Sequence, residues 1–298
     1  MANLRDIRRR IKSVKNTSQI TKAMELVAAA KMKKAQDQAV AGREYADSLN
    51  KVLTNLKDNA DEDAHPLLEK REGGKELMLV ISTDKGLCGG LNTNLLKKVR
   101  ATADADTDYI TVGRKLRQQI AKAGGNLVAD FHVTDPVPFA DAKPIAKFVT
   151  EKFLEGDYDR ITVAFNNFVS TLRQEPWVSQ LLPIESDTLA EKRAYEGVGT
   201  GDTHETDKQA ALSRDYIFEP NAEGVLDKLL PLYINFQLYQ MIVEARASEH
   251  SARMVAMKSA TDNANSMIKD LTLEYNKLRQ AAITAELLEI TTAMKAME

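Results

Sequence analysis

The sequence is poor in the residues from which disulfide and metal chemistry is built. One cysteine, Cys88, among 298 residues excludes an intrachain disulfide and any multi-cysteine zinc site. The four histidines, at 65, 132, 204 and 250, lie too far apart for local metal-ligand spacing. No run of about 18 apolar residues exists to span a bilayer, and the opening MANLRDIRRRIK is charged from residue 5, without the apolar core of a secretory signal. Net charge is almost absent: 41 Lys+Arg against 43 Asp+Glu leave −2, so no global field commits the chain to nucleic acid or anionic lipid. These absences point to a cytoplasmic protein without metal-dependent chemistry. With 43% hydrophobic residues, wholesale disorder is excluded, and the length suits one or two domains.

The near-neutral total hides a polarity. Residues 1–34 hold ten Lys/Arg against Asp6 and Glu25, a local charge of +8 that leaves −10 for the remainder. One end of the molecule therefore offers a basic surface to an acidic partner, unless the charge is simply a solvated helix face.

From Leu4 to Leu56 a 3,4 alternation runs through Leu4, Ile7, Ile11, Val14, then Ala28, Met32, Ala35, Ala39, Gly42, Leu49 and Leu53, with no proline. A seam sustained over so many heptads predicts a coiled-coil helix. Its small residues let a partner backbone approach closely. Ser18, Thr21 and Glu25 interrupt the seam while Ile20, Met24 and Val27 form a fresh apolar stripe. The helix is expected to touch another protein there, although a drifting crossing angle gives the same pattern. A second seam follows Glu219-Pro220, from Leu226 through Tyr233, Gln240, His250, Thr261 and Leu271 to Ala285. Pro231 predicts a bend rather than a break. His250 reads as a polar seam residue setting register, since no second histidine lies one turn away. The two helices, about 4–57 and 220–297, are expected to pair antiparallel around an inserted domain. At about 1.5 Å per residue the second is the longer by roughly 35 Å. Its end, with Ile283, Leu287, Leu288, Ile290, Met294 and Met297, is an apolar tip in need of a socket.

Between the helices the period changes. Strands are predicted at Glu76–Ser82, Asp108–Val112, Asn126–Phe131 and Tyr158–Phe165, with helices near 91–103, 114–123 and 139–154, an alternation that implies a largely parallel sheet. Gln180–Glu185 and Ser213–Phe218 are candidate later strands, and residues 196–209 read as a mobile loop. The fold class is thus α/β: a long antiparallel coiled coil of terminal helices (1–58 and 220–298) carrying an inserted Rossmann-like α/β domain (75–218). Ser82-Thr-Asp-Lys-Gly-Leu-Cys-Gly-Gly-Leu-Asn92 sits where phosphate loops occur, but Lys85 precedes the glycines and neither phosphate-loop pattern is met. A tight strand-to-helix turn is the better reading, and no nucleotide, cofactor or catalytic residue is assigned.

Four segments together closely resemble the gamma subunit of the F-type ATP synthase. They are Ile11–Met24 (IKSVKNTSQITKAM) with Ala30–Lys33, Ser82–Asn92, Ser248–Met257 (SEHSARMVAM) with Ala260–Ala264, and Tyr275–Glu286 (YNKLRQAAITAE). The resemblance implies a non-catalytic rotor stalk. Its paired helices would turn inside a ring of alpha and beta subunits, and its inserted domain would sit near the epsilon subunit and the membrane ring of c subunits. It also implies ring contacts at Met24, Lys31, Arg253, Arg279, Gln280, Thr284 and Glu286, a membrane-ring side at Tyr216, Phe218 and Glu219, and a peripheral place on the cytoplasmic face of a bacterial inner membrane. The cysteine-bearing loop of plant-type relatives is absent, so thiol regulation is not expected, and the end Thr291–Glu298 departs from the family's small-residue close. Two other classes stay open on the residues alone. A basic coiled-coil nucleic-acid binder is disfavoured by the lack of interleaved aromatics, and an α/β enzyme using Asp84–Gly90 by the missing acid/base constellation.

Overall fold

The computed structural model describes residues 4–58, 65–71, 74–184 and 222–297. The expected strand Ser213–Phe218, the loop 196–209 and Pro220 lie outside the described residues. The chain divides into two compact units, Met1–Ala28 with Arg253–Glu298, and Ala29–Ala252. Two helices pass through both: α1 (Leu4–Asp58) and a C-terminal helix, Ala222–Met297, numbered α5 below. The C-terminal helix continues through Pro231, with Asn235 Nδ2 donating to the Pro231 carbonyl one turn earlier at 2.8 Å.

In the first unit the two helices run antiparallel, burying Ile7, Ala28, Met257, Ala264 and Leu271. The expected interruption of the seam is corrected here. Ser18 and Thr21 are buried, Thr21 Oγ1 lies 2.7 Å from Thr261 Oγ1, and Ser18 Oγ donates to Asn265 Oδ1 at 2.8 Å. The seam is kept by hydroxyl pairing instead of apolar contact, because both helices place short polar side chains at the same level.

The second unit is built on a five-stranded sheet of order β3-β2-β1-β4-β5. β1 (Glu76–Ile81), β2 (Asp108–Val112), β3 (Leu127–Phe131) and β4 (Arg160–Phe168) are parallel, and β5 (Gln174–Leu182) returns antiparallel to β4. The connections are helices α2 (Leu91–Thr102), α3 (Arg114–Lys122) and α4 (Phe139–Leu154). Period-two alternation sends Leu77, Leu79 and Ile81 to a core shared with α4, α5 and the end of α1, and Met78 and Val80 to a second core under α2 and α3. Both faces of β1 are therefore buried, which is why its sequence reads as a continuous apolar run. At about 1.5–3 kcal/mol per buried aliphatic side chain, this strand anchors the domain. The helices are antiparallel in this unit too: Tyr45 packs on Phe236 with ring centroids 4.6 Å apart, and Leu49 and Leu53 share the core with Leu226, Leu230 and Tyr233.

Candidate functional site

The residues assigned to ring contacts fall into three settings. Met24 on α1 is half-buried, beside exposed Ile20, Leu26 and Val27. Arg253 is half-buried on α5, whereas Arg279, Gln280, Thr284 and Glu286 are exposed further along it. Thr284 turns its hydroxyl back onto the Gln280 carbonyl at 2.9 Å. Lys31 is engaged within its own chain, its Nζ 2.7 Å from Asp135 Oδ2. Tyr216, Phe218 and Glu219 lie outside the described residues. The basic start of α1 presents Arg5, Arg8, Arg9, Arg10, Lys12 and Lys15 to solvent, a cationic face independent of the seam.

The Ser82–Asn92 loop is closed by its own side chains. Asn92 Nδ2 donates to Thr83 Oγ1 at 2.8 Å and its Oδ1 accepts from the Thr83 N–H at 3.3 Å. Leu87 and Gly89 take the left-handed conformation, at φ 63° and 59°, which completes a tight turn into α2. In doubly wound folds a ligand occupies the crevice outside the carboxyl ends of the strands. Here α5 of the same chain lies across it. Arg246 reaches Asp84 after β1 (3.2 Å) and the Val133 carbonyl after β3 (3.1 Å). Ser248 Oγ donates to the Asn166 carbonyl of β4 at 2.9 Å, and Ser251 Oγ to the Thr171 carbonyl at 2.6 Å. His250 is buried as expected of a seam residue, but its Nε2 faces Asp135 of the β3–α4 loop at 3.2 Å. His250 beside it, and Lys31, outweigh the cost of burial and hold the Asp135 carboxyl well below the usual carboxylate range. Burial opposes the Arg246 charge, but Glu249 and Asp84 outweigh it and raise its pKa.

At the opposite end of the sheet two more buried carboxylates each accept three bonds from their own chain. Glu76 accepts from Thr107, Arg160 and Thr162. Asp108 accepts from Lys75, Asn126 and Tyr158, and although burial raises its pKa these bonds lower it on balance. Tyr158 is pushed up to about 12 by burial and by the bond it donates to Asp108. With three of about four acceptor sites taken on each, these carboxylates tie neighbouring strands and loops together. Among the described residues no group of three His, Cys, Asp or Glu side chains could hold a metal ion.

The crevice at the strand ends is thus covered by α5, while the start of α1 and the distal part of α5 present exposed cationic and apolar side chains. A family model for ATP synthase matches residues 3–297. The ATP synthase gamma chain of Akkermansia muciniphila is 52% identical over 298 residues, with both chains covered completely, and that of Opitutus terrae is 49% identical over 293 residues, with 98% of each covered. The chain belongs to the ATP synthase gamma chain family. A gamma chain is the central stalk of the synthase and not its catalytic subunit. The fold agrees with a chain in the Euglena gracilis mitochondrial ATP synthase (OSCP/F1/c-ring, rotational state 3), at a TM-score of 0.69 and 24% identity, covering 99% of this chain and 94% of that one. A chain of the Tetrahymena thermophila mitochondrial ATP synthase central stalk and c-ring aligns at 0.60 and 25% identity, over 81% of this chain and 99% of that one. As part of the synthase the chain belongs to a membrane-associated complex, and no described helix is long and apolar enough to cross a bilayer.

Proposed function

We propose that this gamma chain is the rotor that carries torque between a membrane ring of c subunits and three catalytic nucleotide sites, its paired helices turning within alternating alpha and beta subunits. The observation that carries this reading is the distal part of α5. Ile283, Leu287, Leu288, Ile290, Met294 and Met297 are 45–91% exposed along one helix end, an apolar surface that water does not favour and a surrounding ring would cover. The basic face at the start of α1 suits acidic levers on the beta subunits. An asymmetric helix pair offers each beta subunit a different face at each angle, so rotation biases open and closed sites through differential contact. Met24, Lys31, Arg253, Arg279, Gln280, Thr284 and Glu286 are the proposed ring contacts. Residues 75–218, read as the inserted domain between helices 1–58 and 220–298, would meet the epsilon and c subunits through Tyr216, Phe218 and Glu219. The bacterial sources of the two gamma chains named above favour a peripheral place on the cytoplasmic face of a bacterial inner membrane.

Co-expression with the alpha and beta subunits tests this reading. The chain is expected to co-purify with the hexameric ATPase, and a bead fixed to the α/β domain to turn in one direction under ATP. A hexamer that binds the chain but whose bead stays still would overturn the rotor reading.

A further inference from the structure

Residues 241–251 of α5 are buried on every side, and six of the eleven are polar: Glu244, Arg246, Ser248, Glu249, His250 and Ser251. A helix that only had to rest on a sheet would bury one apolar stripe. Burying charged groups is costly and gains little stability over apolar packing, but it fixes geometry. Apolar contact is non-directional and lets surfaces slide, whereas hydrogen bonds and ion pairs resist displacement from a set distance and angle.

We propose that Arg246 and His250 of α5, with Lys31 of α1, form around Asp84 and Asp135 a torsional joint through which the helix pair and the α/β sheet turn as one body. This rests on the rotor reading and names the residues that bear the load. The bonds of α5 go to residues at the ends of β1, β3 and β4, spread across the sheet, so they oppose a twist about the helix axis and not merely a lateral shift. Asp135 faces both helices: it accepts from Lys31 Nζ at 2.7 Å, and the buried His250 ring stands against it with Nε2 at 3.2 Å. Glu249 holds the other arm of the Arg246 guanidinium at 2.7 Å, which fixes the fork that reaches Asp84 and Val133. Arg246 and Asp135 are positioning residues, acting through the loops and helices they hold.

The test is the angular fluctuation of a bead on the sheet domain. Leu172, 82% exposed in the β4–β5 turn, is replaced (Leu172→Cys) to supply a reactive thiol, the sole native cysteine, Cys88, being buried. The assembled complex is held by its alpha and beta subunits and stalled without ATP. By equipartition the angular variance is inverse to stiffness. Charged hydrogen bonds are roughly twice as strong as neutral ones, so Arg246→Met removes about half of the bonding between α5 and the sheet loops and the variance should rise by up to about twofold. Asp135→Asn should raise it by less, Arg246→Lys should restore most of it, and ATP hydrolysis per complex should stay near the unsubstituted level. Should Arg246→Met fail to assemble, Asp135→Asn, which keeps the side-chain shape, decides. If the unsubstituted bead turns under ATP but neither variant changes the variance, or if Arg246→Lys is as loose as Arg246→Met, the joint is wrong and the rotor reading stands. A bead that never turns under ATP overturns both.

Discussion

At the scale of single residues, the least legible feature was the hydroxyl layer in the helix pair. A scan for apolar periodicity scores Ser18 and Thr21 as gaps, since nothing local reveals that Thr261 and Asn265, some 240 positions away, stand opposite them. Thr21 Oγ1 is also within reach of the Ser18 carbonyl (3.1 Å) and Thr261 Oγ1 of the Met257 carbonyl (2.8 Å), so two hydroxyl protons serve three acceptors. Thr21→Val or Thr261→Val alone should cost about 1 kcal/mol, while the double variant should cost less than the sum because no lone hydroxyl is left facing a methyl group. Urea unfolding of the full chain measures this, and additive costs would count against a coupled pair. A second residue-scale expectation concerns pH. His65 Nδ1 accepts from the Leu67 N–H at 3.1 Å, which requires the neutral ring, and burial lowers its pKa from 6.5 with only partial opposition from Asp227. Below 6.5 the unfolded chain binds the proton that the native site refuses, so stability is full above that pH and falls as pH drops toward the depressed native value. The urea midpoint should decline more steeply between pH 7 and 5 for the unsubstituted chain than for His65→Asn, and parallel declines would remove His65 from the account.

At the scale of elements, the two long helices were legible almost to the residue, as Leu4–Asp58 and Ala222–Met297, because an apolar seam that resumes on both sides of Gly42 and of Pro231 leaves few alternatives. The α/β alternation was legible because short apolar runs alternate there with helical stretches. The edge strand was not: β5 begins at Gln174, six residues before the predicted Gln180, since a proline, here Pro176, counts against a strand in sequence. Pro176 is tolerated because β5 is an edge, where a missing N–H need not leave a neighbouring carbonyl unpaired. Small residues in α1 were expected to admit a close partner, and Gly42 shows the limit of that approach. A Cβ there would stand 3.4 Å from Gln240 Cδ and closer still to its Oε1, while Gln240 Nε2 donates to the Ala39 carbonyl at 3.0 Å. Gly42→Ala gains about 1 kcal/mol of helix propensity but displaces that amide, and should destabilise the chain by about 1 kcal/mol net. In a Gln240→Ala background the obstruction is gone and the same substitution should stabilise. Thermal unfolding of the four chains closes the cycle, and one sign in both backgrounds would mean that the Gln240 amide is not what fills the space beside Gly42.

At the scale of the whole molecule, the sequence carried its architecture because two seams flank one change of period, but it could not show which polar groups face inward. The buried charges near residue 246 and the exposed ones near 279 look alike in composition; only the packing around them differs. Arg279 is exposed, and its helical neighbours three and four places away, Tyr275, Asn276, Ala282 and Ile283, include no acid to pair with it. Gln280 is exposed beside it, whereas Thr284 spends its proton on the Gln280 carbonyl and keeps only acceptor capacity outward. As proposed ring contacts, Arg279 and Gln280 meet the surrounding subunits as donors, at an exposed-pair strength of at most about 1 kcal/mol each. Contacts of that size are too weak to hold a complex together but large enough to change the rate of passing from one rotary position to the next by up to about fivefold. Arg279→Ala and Gln280→Ala should therefore lower steady-state ATP turnover with the complex intact on a sizing column, and Thr284→Ala should lower it less. Loss of the complex with normal turnover in each surviving assembly would show that these side chains hold the stalk in place and do not time its rotation.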